Sequence, residues 1–219
     1  LNLGSGTFDV RLANGAVVTL AKMNIAWAFD TGFVNVKHYG ALGDGGTDDL
    51  TAVRSAVAAT PVNGTLYFPA GTYLLSDSIN ISRSIQILGE GFTSILKLKN
   101  SSVANLAQAI GAFTFTSIVA IYNASARIEN VSVRDIALDG NKANNDSGGS
   151  GNGFQIKDVD NLCIDHVRIY DCPRDGISVS SSTRIIATNM DLSGSGAASM
   201  TNGGEGFLTT GTEKILIAN

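Results

Sequence analysis

Phe33-Val-Asn-Val-Lys-His-Tyr-Gly-Ala-Leu-Gly-Asp-Gly-Gly-Thr-Asp-Asp49 holds four glycines and three aspartates in seventeen residues. A phosphate-cradling loop would set Lys and then Ser or Thr behind its last glycine, whereas Gly46 is followed by Thr47-Asp48-Asp49. A calcium loop would alternate oxygen ligands around a central glycine and close on glutamate, an order that Asp44 to Asp49 lacks. The run therefore reads as architecture. Val34 and Val36 alternate as a short strand, the glycines permit a sharp turn, and Thr47 caps a helix from Asp48 to Ala59. Asp48 and Asp49 would occupy its first turn, where the helix dipole favours negative charge. Leu50, Val53 and Val57 then form an apolar stripe that needs something to cover.

What it covers is a repeat. Asn130-Val-Ser-Val-Arg-Asp-Ile-Ala-Leu138 laid over Asn161-Leu-Cys-Ile-Asp-His-Val-Arg-Ile169 matches Val131, Val133, Ile136 and Leu138 with Leu162, Ile164, Val167 and Ile169, 31 residues on. The apolar alternation switches phase once in each copy, as a strand turning a corner would. Ile185, Ala187, Met190 and Leu192 form the next copy after 23 residues, and Ile215 and Ile217 begin another after 30. A fixed pattern with unequal periods predicts a solenoid whose coils carry loops of different length. The last copy breaks off inside a coil, and the chain begins at Leu1 without methionine, so the sequence reads as a piece of a longer protein.

A polar residue followed by glycine opens a second strand in each copy: Asn152-Gly-Phe-Gln-Ile156, Asp175-Gly-Ile-Ser-Val179 and Glu205-Gly-Phe-Leu-Thr209. Asn152, Asp175 and Glu205 are thus predicted to stack as a ladder on neighbouring strands, about 4.8 Å apart. Two readings stay open. In one, the ladder merely satisfies tight corners, where Asp, Asn and Gly are common. In the other, Asp175 and Glu205 supply the two carboxyl groups that glycoside hydrolysis needs, and Asn152, Asp171 and Arg174 line a sugar groove. The Asn-, Ser- and Gly-rich inserts from Gly140 to Gly151 and from Ser193 to Gly204 would frame it.

Composition narrows the partners. The 15 basic and 19 acidic residues form no basic run, which argues against nucleic acid. The most apolar segment, Ala109 to Tyr122, is interrupted by Thr114, Thr116 and Ser117 and is too short for a membrane helix. No metal or other cofactor is expected. Cys163 should point outward between Leu162 and Ile164, Cys172 ends the same coil before Pro173, and both are predicted to be free thiols. His38 and His166 read as surface residues.

Val36 to Asp49, the helix, and Gly64-Thr-Leu-Tyr-Phe-Pro-Ala-Gly-Thr-Tyr73 together resemble the opening of pectate-lyase-like right-handed parallel β-helix proteins. The resemblance implies an all-β, right-handed parallel β-helix with an N-terminal capping α-helix. The same opening heads bacteriophage tailspikes, secreted polysaccharide lyases and hydrolases, and alginate epimerases, so it specifies fold more narrowly than reaction. The ladder also resembles the active region of polygalacturonases. There Asn152 stands where the first motif has aspartate, Arg174 and Asp175 stand at paired aspartates, and Glu205 stands at a histidine. Asp175 alone keeps the family residue. Against the alginate epimerase motif, Gln155 and Lys157 replace the acid and the histidine. Lyase chemistry would use an Arg or Lys base with calcium, and Arg174 beside Asp171 and Asp175 is compatible with it.

The expected organisation is a neck or linker over residues 1–32, a strand, glycine-rich turn and helix over 33–63, and the β-helix over 64–219. Phe8, Val10 and Leu12 alternate ahead of a turn at Asn14-Gly15, and such a segment before the β-helix resembles the neck of trimeric tailspikes. The expected function is that of a tailspike-like homotrimer in the virion. It would bind, and in one reading cleave, a bacterial surface polysaccharide, and would join other tail proteins through residues 1–32. The alternatives are a secreted polysaccharide lyase or hydrolase and a purely structural virion β-helix.

Overall fold

The computed structural model describes residues 7–11, 17–21, 32–100, 107–110, 113–145, 151–195 and 207–218. The chain forms two compact units, Leu1–Thr31 and Gly32–Asn219. In the first, Thr7–Arg11 pairs antiparallel with Val17–Ala21, setting Phe8 opposite Leu20 and Val10 opposite Val18. Leu12 and the predicted turn at Asn14-Gly15 lie outside the described residues.

The second unit is a right-handed parallel β-helix built on three inward columns. The first runs Val34, Leu66, Ile87, Val133, Ile164, Ala187 and Ile217 through successive parallel pairs. A second runs Tyr73, Leu96, Leu138, Ile169 and Leu192. The third runs Ile79, Val119, Phe154 and Ile177, with Phe207 next in backbone register. Side chains alternate across a strand, so in-register pairing stacks like on like, and most members of these columns are fully buried. The 31-, 23- and 30-residue offsets are thus the register itself.

The phase switch has a local cause. Asp135, His166 and Asn189 each adopt a left-handed conformation, with φ of 54°, 51° and 52°, between the two strand segments of their coils. One such residue turns the chain and shifts the alternation by one, and Asp, Asn and His are the side chains most tolerant of it. The alternation slips a second time at Asn130, Asn161 and Arg184, which share positive φ. Asn161 donates its amide to the Asn130 side-chain oxygen at 3.0 Å, linking two coils at this corner.

The opening stretch folds differently from its sequence reading. The helix spans Leu50–Ala59, not Asp48 to Ala59, and Asp49 rather than Thr47 occupies the N-cap position. Asp44–Asp48 is instead a strand, paired in parallel with Gly71–Leu75. Carboxylates compete for the loop amides and win. Asp44 accepts from the Gly46 and Thr47 N–H groups and from the Thr47 hydroxyl, so Thr47 serves the turn. Asp49 accepts from Leu42 and Gly43, and Asp48 takes the Leu50 N–H. The helix buries Val53 and Ala56 in the main core, with Leu50 and Val57 partly covered. Its last carbonyls, on Val57 and Ala58, and that of Thr60 accept hydrogen bonds from the Arg83 guanidinium, the charge that suits a helix C-terminus.

Candidate functional site

The corner Asp171-Cys-Pro-Arg-Asp175 carries three of the five predicted site residues and sends them to different places. Asp171 is exposed and left-handed, with φ of 50°. Its N–H donates to Ser193 O at 3.1 Å and its carbonyl accepts from Lys142 N at 2.9 Å, which ties three coils together. Cys172 and Pro173 are buried. Arg174 is half-buried and donates its N–H to Gly151 O. Asp175 is only 1% exposed, with its Oδ2 at 3.5 Å from Arg174 Nε.

Asn152 is likewise buried, and its side-chain oxygen accepts the Asp175 N–H at 3.2 Å. The two residues head adjacent strands, because Phe154 pairs with Ile177. Ser117 is the register partner of Asn152 on the preceding coil and extends the buried polar column upstream. Sequence reasoning missed it because its copy lacks the polar-then-glycine signature; its place two residues before the inward Val119 was the available signal. The glycine of that signature has a steric reason. A Cβ on Gly153 would lie 2.5 Å from Gly176 O and 2.6 Å from the Ile169 side chain. Glu205 lies outside the described residues, although the strand after it, Phe207–Thr210, pairs in parallel with Ile177–Ser180.

Asp171 faces a groove of about 350 Å³ on the outer side of the second column, lined also by Phe92, Ile95, Arg168, Tyr170, Asp191 and Ser193. Ile95, Ala137, Arg168 and Asp191 stand in one register line, and Lys97, Asp139, Tyr170 and Ser193 in the next. Arg168 lies over the Phe92 ring at 4.3 Å and pairs through Nε with Asp191 at 2.7 Å. The opposite partner of Phe92 is His166, 4.3 Å between ring centres, and His166 Nδ1 lies 2.6 Å from Asp135 Oδ1. Lys97 pairs with Asp139 at 2.7 Å. Burial, then the neighbouring Asp139 and Asp171 carboxylates, push the Tyr170 hydroxyl above its ordinary pKa, so it stays a neutral donor.

Of the four predicted residues that are described, Asp171 lines this groove; Asn152, Arg174 and Asp175 do not. Phe92, Arg168, Tyr170 and Asp191 escaped the sequence reading. Arg168, Tyr170 and Asp191 occupy outward positions, where no periodicity marks a side chain, and the coil register brings them together; Phe92 joins them from the 3₁₀ turn Gly91–Thr93. Chemically, the groove offers two solvent-facing carboxylates, a hydroxyl, a fixed guanidinium and a phenol. That set suits hydrogen bonding to a hydroxyl-rich ligand. His38 is exposed in the 3₁₀ turn Val36–Tyr39 and is distant in sequence from every lining residue.

Comparison with known proteins places this geometry in a family. Residues 33–215 match the family described as rhamnogalacturonase A/epimerase, pectate lyase-like. The pre-neck appendage protein of Bacillus phage phi29 is 30% identical over 154 residues, covering 67% of this chain and 16% of the phage protein. Mannuronan C5-epimerase AlgE3 of Azotobacter vinelandii is 28% identical over 141 residues, covering 64% of this chain and 7% of the enzyme. The chain therefore spans a small part of the length of the relatives it matches. Among solved structures, ORF18 of Geobacillus virus E2 aligns with a TM-score of 0.67 at 19% identity, over 97% of this chain and 43% of that one. The family 28 exopolygalacturonase of Yersinia enterocolitica aligns with a TM-score of 0.66 at 14% identity, over 96% and 47%. These two likenesses carry the fold, and the family match, spanning most of the β-helix, carries the kinship: this chain belongs to the rhamnogalacturonase A/epimerase, pectate lyase-like family.

Proposed function

We propose that this chain is the β-helical part of a bacteriophage appendage that binds a bacterial surface polysaccharide as a homotrimer in the virion. The observation that carries the reading is the groove beside Asp171: polar and aromatic side chains presented in fixed register by a rigid wall. A solenoid offers its outer face to an extended polymer, since successive coils repeat the same surface. The kinship with phage pre-neck appendage proteins supports the virion setting. In this reading residues 1–32 join other virion proteins.

The test uses the full-length protein. Light scattering gives a trimer, labelled protein decorates host cells, and Tyr170→Ala or Arg168→Ala reduces decoration. A monomer that leaves host cells bare overturns the proposal.

A second reading, polysaccharide cleavage, is favoured by one observation. The strands behind Asp175 and Glu205 are direct parallel neighbours. Neighbouring strands lie about 4.8 Å apart, close to the roughly 5–5.5 Å between the carboxyl groups of retaining glycosidases. In this reading Asp175 and Glu205 form the acid pair and Asn152, Asp171 and Arg174 position the sugar. The burial of Asp175 then requires the Arg174 corner to open before substrate can reach it.

A further inference from the structure

We infer that the groove over the second column takes an uncharged, hydroxyl-rich sugar and rejects polyuronates. The inference rests on the polysaccharide-binding reading above and adds the substrate class. Among the described residues, three charged side chains line the groove, Arg168, Asp171 and Asp191, and they sum to one negative charge. The guanidinium that could meet a uronate carboxylate already shares its charge with Asp191, held through Nε at 2.7 Å, and its carbon lies 4.3 Å from the centre of the Phe92 ring. The neighbouring cation, Lys97, is held by Asp139 at 2.7 Å, and Lys142 meets Asp171 through its backbone N–H.

The Asp171 carboxylate lies against Gly194: a Cβ there would stand 2.2 Å from its Oδ1, so glycine leaves it room. Asp171, exposed, and Asp191, half-buried, are hydrogen-bond acceptors. A sugar hydroxyl supplies the donor, while a uronate adds a second net negative charge to a groove whose described cations are already paired with carboxylates. Calcium could bridge such charges, but no group of three or more acidic, His or Cys side chains able to hold a metal exists among the described residues. The excess of 19 acidic over 15 basic residues in the chain adds long-range repulsion of the same sign.

The test measures binding of the full-length protein by affinity electrophoresis in a glucan, a galactan, a mannan and polygalacturonate, with and without calcium chloride. The expected result is retardation by at least one neutral polymer and none by polygalacturonate in either condition. Tyr170→Ala should abolish the neutral retardation, which locates it in the groove. Asp171→Asn with Asp191→Asn keeps shape and the left-handed backbone at 171, and should make retardation by polygalacturonate appear, by removing two carboxylates and releasing Arg168. Wild-type retardation by polygalacturonate, alone or with calcium, overturns the inference and leaves the groove reading standing. Retardation by no polymer, or neutral retardation unaffected by Tyr170→Ala, overturns the groove reading itself.

Discussion

The Asp49 carboxylate accepts the backbone N–H of Leu42 at 2.7 Å, and with its other oxygen that of Gly43 at 3.0 Å. A buried acid thus closes the glycine-rich turn on itself, just where the chain enters the helix. Asp49→Ala removes the acceptor of both amides, and charge-assisted hydrogen bonds of this kind contribute about 1.5–3 kcal/mol each before relaxation. A loss of about 2–4 kcal/mol in urea denaturation is expected. Thr47→Val, which removes only a surface hydroxyl contact to Asp44, should cost far less. Equal losses would restore Thr47 as the capping residue.

Core columns and outward columns should differ sharply. Ile164 is fully buried at the centre of the first column, whereas Ile186, on the neighbouring strand, is 46% exposed. Ile164→Ala should cost about 2–5 kcal/mol and Ile186→Ala less than about 0.5 kcal/mol. Chemical denaturation of the two variants checks the register directly, since a one-residue slip of the Thr183–Thr188 strand would bury Ile186 and raise its cost toward that of Ile164.

Both cysteines are free, Cys163 half-buried and Cys172 buried. Burial pushes the Cys172 thiol up from about 9 to about 12. Ellman titration should therefore find one reactive thiol in the native protein and two after denaturation. The raised folded value also ties stability to alkali. Below about pH 9 the thiol is neutral in both states and stability is unaffected; from there up to about pH 12 the unfolded chain ionises first and stability falls, by up to about 1.4 kcal/mol per pH unit. Cys172→Ala should flatten that part of the profile.

Arg127 grips Asp160 through Nε at 2.9 Å and Nη2 at 2.7 Å across two coils, and Thr183 donates to the same carboxylate. Pairing with Arg127 foremost, then the Thr183 hydroxyl, holds the Asp160 carboxyl well below the usual carboxylate range. A depressed folded pKa means stability that is present above about pH 4 and fades as pH falls below it. Asp160→Asn should cost about 1 kcal/mol at neutral pH, reduced by solvent screening, and the gap to the wild type should narrow in acid. Urea titrations at both ends of that range measure it.

If the chain cleaves polysaccharide through the Asp175 and Glu205 pair, Asp175→Asn and Glu205→Gln each lower reducing-end release by about a hundredfold or more. Binding to the same polymer should persist. Unchanged release in both variants removes the pair from any reaction and leaves Asp175 as the buried partner of Asn152 and Arg174.

The sequence by itself determined the solenoid. Inward residues recur at period two along each strand and at 31, 23 and 30 residues between coils, and parallel in-register pairing is the arrangement that buries all of them together. The apolar face of the helix at Val53 was readable for the same reason, because burial imprints a period. Tertiary structure alone decided where the polar groups went. Thr47, Asp48 and Asp49 all had the chemistry of a helix start, and the choice fell to whichever carboxylate the Leu42 and Gly43 amides could reach. Asp171 and Asp175, four residues apart, were read as one sugar-binding set; the Cys172-Pro173 corner turns one to the groove and buries the other. Phe92, Arg168 and Asp191 come from separate coils and sit at outward positions that no burial requirement patterns, so only the stacking of the coils brings them to one surface.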